Sequence, residues 1–189
     1  LFSSTMTIGP ANPNKIVFVG VFNNDSRSSE PTAVTVGGIS ATKIGVINNG
    51  SGTYIQLWTV PITTGTTATV TVQTQGTVDA FAVATYYATN VSAVPVSLAT
   101  STAAPGTGNV IIPTPGFAIG LGMSGAASGS PTATWTNATE NFDALRASGT
   151  ATTYSGALTT LPDGNGIDIT CTWTNTTTGG RAFLAASFG

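Results

Sequence analysis

The stretch from Ile167 to Trp173 reads IDITCTW and indicates the fold class of this chain. Apolar residues occupy every second position of the stretch, and Asp or Thr stands between them. Successive side chains of a β-strand point to opposite faces of its sheet, so this alternation predicts a strand with one buried and one exposed face. We therefore expect Cys171 and Trp173 on the core side of a sheet.

The same pattern recurs along the chain between turn residues. Glycine, asparagine or aspartate marks the turns at 48–52, 163–166 and 178–180. About ten short strands without a convincing amphipathic helix predict an all-β fold, either a β-sandwich or a jelly-roll-like body. Charged residues in 137–148 could support a short helical turn, but we expect a loop there. The remaining strands are predicted at 15–22, 32–36, 54–60, 68–73, 80–87, 117–123, 132–136, 152–158 and 182–188.

Two similar halves are indicated by landmarks that recur about 100 positions apart. The landmarks follow the same order in both halves, and the slips between them fall at turns, which predicts an internal repeat. The matched pairs are Gly20 with Gly120, Pro31-Thr32-Ala33 with Pro131-Thr132-Ala133, Thr53-Tyr54 with Thr153-Tyr154, Pro61 with Pro162, the ladder 68–72 with 167–171, and AFAVATY from Ala80 with AFLAASF from Ala182.

This repeat predicts a domain organisation of four segments. A half of this size covers its own apolar face poorly, so the halves should pack as one sandwich or as two docked lobes. The connector contains Val94, Val96 and Leu98 and is predicted to cross between the halves with two short strands. The N-terminal arm either folds back as a strand or docks on a neighbouring subunit. The segments are an arm at 1–14, a first β half at 15–88, a connector at 89–114 and a second β half at 115–189.

The composition is unusually poor in charge. Asp, Glu, Lys and Arg make up 6% of the chain, against about 25% in an ordinary soluble domain. A neutral surface rich in Thr, Ser and Asn favours association, so we expect a protein that works within an assembly or outside a cell. The net charge of −2 provides no basic surface for nucleic acid. No apolar run approaches the roughly 18 residues of a membrane span.

Residues for catalysis are scarce. The chain has no histidine, which removes the commonest general base and the Ser-His-Asp and Cys-His systems. Its one cysteine, Cys171, permits no intrachain disulfide or Cys-based zinc site and is expected to be a buried hydrophobe. We predict a non-enzymatic protein with no catalytic residue, no metal site and no cofactor. A paired-carboxylate glycosidase would need two of Asp25, Glu30, Asp79, Glu140, Asp143, Asp163 and Asp168 to face each other across a cleft.

Two features could contact a ligand, and neither assigns a binding residue. The loop Asp163–Asp168 is rich in oxygen ligands, as calcium sites are, but lacks EF-hand spacing, so we prefer a hairpin turn. Exposed aromatic rings could stack on sugars, although large aromatics more often fill the core. Tyr86 and Tyr87 are adjacent on a predicted strand, so one of them should be exposed. The aromatic candidates are Tyr54, Trp58, Tyr86, Tyr87, Trp135, Tyr154 and Trp173.

The order of these strand and turn segments resembles a known class of proteins. The segments are KIVFVGVF from Lys15, AVTVGG from Ala33, IQLWTVPITTGTTATVTV from Ile55, FAIGLGM from Phe117, TWTNATE from Thr134 and the terminal AASFG. They resemble β-sandwich structural proteins of tailed bacteriophages, which serve as head-decoration, minor-capsid or tail-associated components, and related modules of bacterial surface proteins.

The resemblance covers nearly the whole chain from Lys15 onward but consists of strand and turn signatures, so no functional residue is carried over. It implies a virion structural protein, most specifically a capsid decoration, cement or minor head protein. Its partners would be other capsid or tail subunits, in a homo-oligomer or lattice, with no nucleic acid and no membrane. The alternative is a receptor- or carbohydrate-binding module of a tail fibre, baseplate or bacterial surface protein.

Overall fold

The prediction of an all-β fold is confirmed by the computed structural model, whose described residues form sixteen strands and no helix. The structure describes residues 1–24, 29–50, 52–76, 78, 80–125, 132–146, 152–160, 163–174 and 181–189, and only the backbone of 80, 145, 146, 163 and 164. The strands are β1 (Phe2–Thr7), β2 (Lys15–Asn24), β3 (Pro31–Val36), β4 (Ile39–Ser40), β5 (Thr42–Asn48), β6 (Thr53–Pro61), β7 (Thr67–Thr74), β8 (Ala80–Thr89), β9 (Ser97–Ser101), β10 (Gly106–Ile112), β11 (Phe117–Gly125), β12 (Ala133–Thr136), β13 (Thr139–Arg146), β14 (Thr152–Thr159), β15 (Asp163–Trp173) and β16 (Ala182–Phe188).

The strands form four antiparallel sheets. The first outer sheet has the order β1-β7-β3-β4, and the first inner sheet has the order β5-β6-β2-β8. The second inner sheet has the order β13-β14-β11-β16-β9, and the second outer sheet has the order β10-β15-β12. The second inner sheet therefore has five strands where the first inner sheet has four.

The four sheets pack face to face, with an apolar layer between each neighbouring pair. Val19 and Val70 belong to the layer between the first outer and first inner sheets, and Phe18 and Leu121 belong to the central layer between the two inner sheets. Ile169 belongs to the layer between the second inner and second outer sheets. Inner strands are covered on both faces, which explains why β2 and β11 read as nearly continuous apolar runs. On β15 the buried residues Ile169, Cys171 and Trp173 alternate with exposed or half-buried ones, as predicted.

The two halves of the chain share one order of strand pairing. In the outer sheets, β1-β7-β3 of the first half corresponds to β10-β15-β12 of the second. In the inner sheets, β5-β6-β2-β8 corresponds to β13-β14-β11-β16. The second half adds β9 beside β16, and the first half adds the two-residue β4. The repeat is thus present in the topology, with eight strands in each half.

Several sequence landmarks of the repeat are nevertheless wrong by one position. Gly20 faces the central layer, where a Cβ atom would lie 3.0 Å from Leu121 Cδ1, whereas Gly120 faces Trp135 of the second outer sheet. The residue that corresponds to Gly20 by layer is therefore Leu121. Matching letters carry no information on which face a side chain takes, and a shift of one residue moves every side chain of a strand to the other face.

Two further matched pairs also take different faces of their sheets, namely Ala33 with Ala133 and Tyr54 with Tyr154. Ala33 is exposed, whereas Ala133 is buried in the layer below the second outer sheet. Tyr154 lies in the central layer, but Tyr54 alternates with Ile55 of that layer and so takes the other face of its sheet. The match of 68–72 with 167–171 and the match of the two closing strands do place corresponding residues on the same face of their sheets. Pro131 and Pro162 lie outside the described residues.

The expected number of about ten strands was too low, and the loop predicted at 137–148 contains β13. Both β5 and β13 carry a β-bulge against their neighbours, between Lys43 and Gly45 and between Glu140 and Phe142. A bulge inserts one residue and interrupts the period of two, so these edge strands show no clean alternation in sequence. β4 has only two residues and is too short to form a pattern.

The N-terminal segment folds back on the body as β1, which pairs with β7 from Phe2 to Thr7. Leu1 is 87% exposed, but Ile8 is buried in the layer below the first outer sheet. The connector provides two strands as predicted, and both join sheets of the second half.

Candidate functional site

A groove runs along the outer edge of β8, where the second inner sheet extends beyond the first. β8 packs against β14, and β13 is the edge strand beside β14, with its Phe142 ring packed against Phe22 of β2. We call this the β8 groove. It is lined by Val83, Ala84, Thr85, Tyr86 and Tyr87 of β8 and by Asn141, Phe142 and Leu158 of β13 and β14.

The groove has a volume of about 580 Å³. A cavity of about 490 Å³ adjoins it past Tyr87 toward Phe117, and one of about 510 Å³ adjoins it past Asn141 toward Asn137. Leu158 lines all three spaces, which therefore lie around one residue of β14. None of the described lining residues carries a charge, so neutral and partly apolar groups would fit best.

Tyr86 and Tyr87 take opposite faces of β8, as their adjacency predicts. Tyr87 is 48% exposed, and its ring lies over the backbone of Gly9. Tyr86 is buried in the central layer, and its hydroxyl has no hydrogen-bond partner among the described residues. Burial raises the pKa of Tyr86 above its ordinary value. Of these two tyrosines, only Tyr87 can therefore offer a ring surface to a ligand.

The other aromatic candidates are turned into the protein. Tyr54, Trp58, Tyr154 and Trp173 are each at most 8% exposed, and Trp135 is half-buried. The Trp58 Nε1 donates a hydrogen bond of 2.9 Å to Gln56 Oε1, and Trp135 Nε1 donates one of 2.8 Å to Ser155 Oγ. These two indoles serve packing and internal hydrogen bonding.

Among the described carboxylates, Glu140 and Asp143 lie on β13, Asp168 lies on β15 and Glu30 directly precedes β3. The Glu30 carboxylate accepts hydrogen bonds from Lys43 Nζ at 2.9 Å and from Gln56 Nε2 at 3.0 Å. Asp143 accepts one from the Ala133 N–H at 3.0 Å. Burial and the neighbouring Asp143 carboxylate raise the pKa of Glu140. Asp25 and Asp79 lie outside the described residues, as does the side chain of Asp163.

The segment Asp163–Asp168 belongs to β15 and is not the predicted turn. Val110 pairs with Ile167 and Ile112 pairs with Asp163, so β15 has two more residues than β10 over this interval. Gly166, with a φ of 92°, lies in the irregular stretch. The Asp168 carboxylate accepts a hydrogen bond of 2.8 Å from Asn109 Nδ2. No group of three or more His, Cys, Asp or Glu side chains that could hold a metal ion occurs among the residues described.

A second surface feature is the apolar segment from Val94 to Leu98, which leads into β9. Val94 is 68% exposed, Val96 54% and Leu98 43%. The N–H of Val96 donates a hydrogen bond of 2.8 Å to the Ser187 carbonyl, which fixes the segment beside β16. The Leu98 side chain contacts Gly45 of β5 at the rim of the central layer.

Sequence reasoning missed Phe142 and Asn141, which lie on the β13 wall of the groove. The bulge interrupts the alternating pattern of β13, so the strand is not recognisable in the sequence. These two residues come beside β8 only through the packing of the two inner sheets. The run Ala80–Thr89, which has neither charge nor proline, was a signal for an open sheet edge in the sequence.

Comparisons with known protein families, with characterised proteins and with solved structures found no match to this chain. The described residues include no helix long and apolar enough to span a membrane.

Proposed function

We propose that the protein is a non-enzymatic structural subunit of a bacteriophage particle, most specifically a capsid decoration, cement or minor head protein. It binds other particle proteins as a member of a homo-oligomer or surface lattice. The paired sheets support classifying each half as a β-sandwich. The resemblance of the strand and turn segments supports the phage assignment.

The observation that carries the binding role is the apolar segment Val94–Leu98. Three large aliphatic side chains at alternate positions are 43% to 68% exposed in a chain with 6% charged residues. Full burial of an exposed aliphatic side chain contributes roughly 1.5–3 kcal/mol, so each of these half-exposed side chains can contribute about half of that to a protein–protein contact. The neutral surface opposes association only weakly.

The test is particle association in cells that carry the gene. Particles are purified from lysates by density gradient, and the chain is quantified in particle and free fractions by mass spectrometry. We expect the wild-type chain in the particle fraction and Val96→Asp in the free fraction. Thr172→Asp is the matched control, since Thr172 is exposed on the second outer sheet. Recovery of the wild-type chain only in the free fraction would overturn the proposal.

A receptor- or carbohydrate-binding role is the second candidate, because Tyr87 presents a ring beside the polar side chains of Thr85 and Asn141. Sugars stack on exposed aromatic rings and hydrogen-bond to such neighbours. A glycan array with the purified protein and with Tyr87→Ala tests it. We expect binding that Tyr87→Ala removes. The absence of any binding at millimolar glycan counts against this role.

A further inference from the structure

We propose that the outer edge of β8 accepts an extended, uncharged strand from another polypeptide, which completes the first inner sheet as a fifth strand. Such a strand would add to β8 whether or not the protein belongs to a phage particle. The two inner sheets differ by one strand, with four strands in the first and five in the second. Among the described residues, no strand pairs with the outer edge of β8.

The repeat shows what would fill this position. In the second half, β9 pairs with β16 and packs across the central layer against β5. β16 corresponds to β8 and β5 corresponds to β13. The counterpart of β9 would therefore pair with β8 and face β13, which is the space occupied by the β8 groove. The fold itself thus contains one filled and one open copy of the same strand position.

The open edge has the features of a pairing edge. β8 has ten residues, pairs with β2 without a register shift, and contains no charge and no proline. Natural sheets block their free edges with bulges, charges or short strands. The edges of β5, β10 and β13 have bulges, and β12 and β4 have four and two residues. β8 is the longest edge strand of the described sheets and has none of these protections.

The backbone groups of β8 that await a partner can be assigned from the filled copy. The Ser187 carbonyl accepts a hydrogen bond from the chain leading into β9, so Ser187 directs its backbone groups to that side. Ser187 of β16 pairs with Ala118, and Tyr87 of β8 pairs with Val17. Ala118 and Val17 correspond by layer in the two halves, so Ser187 corresponds to Tyr87. N–H and C=O groups of alternate residues point to the same edge of an antiparallel strand. Val83, Thr85 and Tyr87 therefore direct theirs outward.

The groove admits one strand and excludes a second folded copy. Pairing two β8 edges about a two-fold axis perpendicular to the sheet would place β13 of each copy on β14 of the other, because β8 packs on β14 and β13 is the next strand outward. An extended segment avoids this clash. The uncharged lining favours an uncharged segment, since a charge placed there would lose water without gaining a partner.

One residue of the incoming strand should have a small side chain. Leu98 of β9 pairs with Ala186 and packs on Gly45. Ala186 corresponds to Tyr86, and Gly45 corresponds to Phe142, which pairs with Gly156. Because Phe142 fills the space that Gly45 leaves free, the residue opposite Tyr86 should be alanine, glycine or serine.

The test uses the full chain and a peptide of residues 96–103 that carries Leu98→Ala. We expect saturable binding in the high-micromolar to millimolar range, with amide chemical-shift changes confined to β8 and β13 in NMR titrations. Two further peptides carry N-methyl groups at the odd-numbered or at the even-numbered positions. One of them should lose binding by about tenfold or more and the other should retain it, because only one edge of the peptide faces β8.

The variant Phe142→Gly tests whether Phe142 limits the size of the residue that lies opposite Tyr86. The wild-type chain should prefer the peptide with Leu98→Ala, and Phe142→Gly should prefer the peptide with Leu98. Absence of shifts in β8 at millimolar peptide, or equal binding of both N-methylated peptides, would overturn the proposal. So would a dimer in light scattering whose β8 amides are protected from hydrogen exchange, since a second copy would then occupy the edge.

Discussion

Gly156 of β14 lies directly beneath the hydroxyl of Tyr86 on β8. A Cβ atom at position 156 would overlap both that oxygen and the ring of Phe142. The Phe142 ring also packs against Phe22 with the ring centroids 6.0 Å apart. The glycine at position 156 therefore leaves the space in which Tyr86 and Phe142, two lining residues of the β8 groove, pack over β14.

Replacing Gly156 by alanine should destabilise the protein by about 1–3 kcal/mol, because the added methyl group forces the Tyr86 and Phe142 side chains apart. Urea unfolding followed by circular dichroism measures the loss. In a Tyr86→Phe background the loss should be smaller, since removal of the hydroxyl frees part of the space. An unchanged free energy of unfolding in Gly156→Ala would contradict the close packing.

Replacing Tyr86 by phenylalanine should leave the free energy of unfolding at pH 7 unchanged or raise it by up to about 1 kcal/mol. The buried hydroxyl has no hydrogen-bond partner among the described residues, so its removal costs no bond and relieves desolvation. Tyr87→Phe is the matched control and should have little effect, because Tyr87 is 48% exposed. A loss of more than about 1 kcal/mol in Tyr86→Phe would indicate a hydrogen bond that the described residues do not show.

The same hydroxyl predicts an alkaline loss of stability. Burial raises the pKa of Tyr86 above its ordinary value, so the unfolded chain releases this proton near pH 10 while the folded chain retains it. Stability should fall as the pH rises above about 10, by up to about 1.4 kcal/mol per pH unit from this group. Curves for the wild type and Tyr86→Phe should coincide in shape below pH 10 and diverge above it. Parallel curves up to pH 12 would refute a raised pKa.

The fold class was predictable because alternation is a local property of a strand. The segments around β7 and β15 show it without interruption, whereas β2 is a nearly continuous apolar run between turn residues, and these strands lie where expected. The strands β5 and β13 were missed, because the residue inserted by each bulge reverses the faces within the strand. The order of the repeated strands was predicted correctly. Their register was not, because it depends on which sheet face Gly20 and Leu121 take, and residue identity alone does not show this.

The groove could not be predicted from sequence, since it arises where sheets of unequal width overlap. The adjacency of Tyr86 and Tyr87 did predict one buried and one exposed ring, because neighbouring residues of a strand point to opposite faces. Which ring is exposed depends on the position of β14. Phe142 reaches the same site from a strand whose pattern is broken by its bulge.

Cys171 should be unreactive in the folded protein. Its side chain is fully buried, and burial, followed by the Asp143 and Glu140 carboxylates, raises the pKa of its thiol. The thiolate is the reactive form, so a thiol reagent at pH 8 should label the native chain only at the rate of unfolding and the urea-unfolded chain at once. Ser3→Cys, on the exposed side of β1, is the positive control. Rapid labelling of native Cys171 would contradict its burial.

The buried amide of Gln56 should contribute more to stability than the ion pair beside it. Gln56 is fully buried, accepts from Trp58 Nε1 at 2.9 Å and donates to the Pro31 carbonyl at 3.1 Å. Gln56→Met leaves the Trp58 N–H and the Pro31 carbonyl buried without these bonds and also removes the bond from Gln56 Nε2 to Glu30 Oε1, at a cost of about 2–4 kcal/mol. The side chains of the Lys43–Glu30 pair are 35% and 33% exposed, so Lys43→Met should cost less than about 1 kcal/mol.

Chemical denaturation of the two variants at low and high salt separates these contributions. The Gln56→Met loss should be independent of salt, because no net charge changes. The Lys43→Met loss should shrink at high salt as the ion pair of the wild type is screened. A larger loss in Lys43→Met than in Gln56→Met would show that the ion pair, rather than the buried amide, joins the first outer sheet to the first inner sheet at this point.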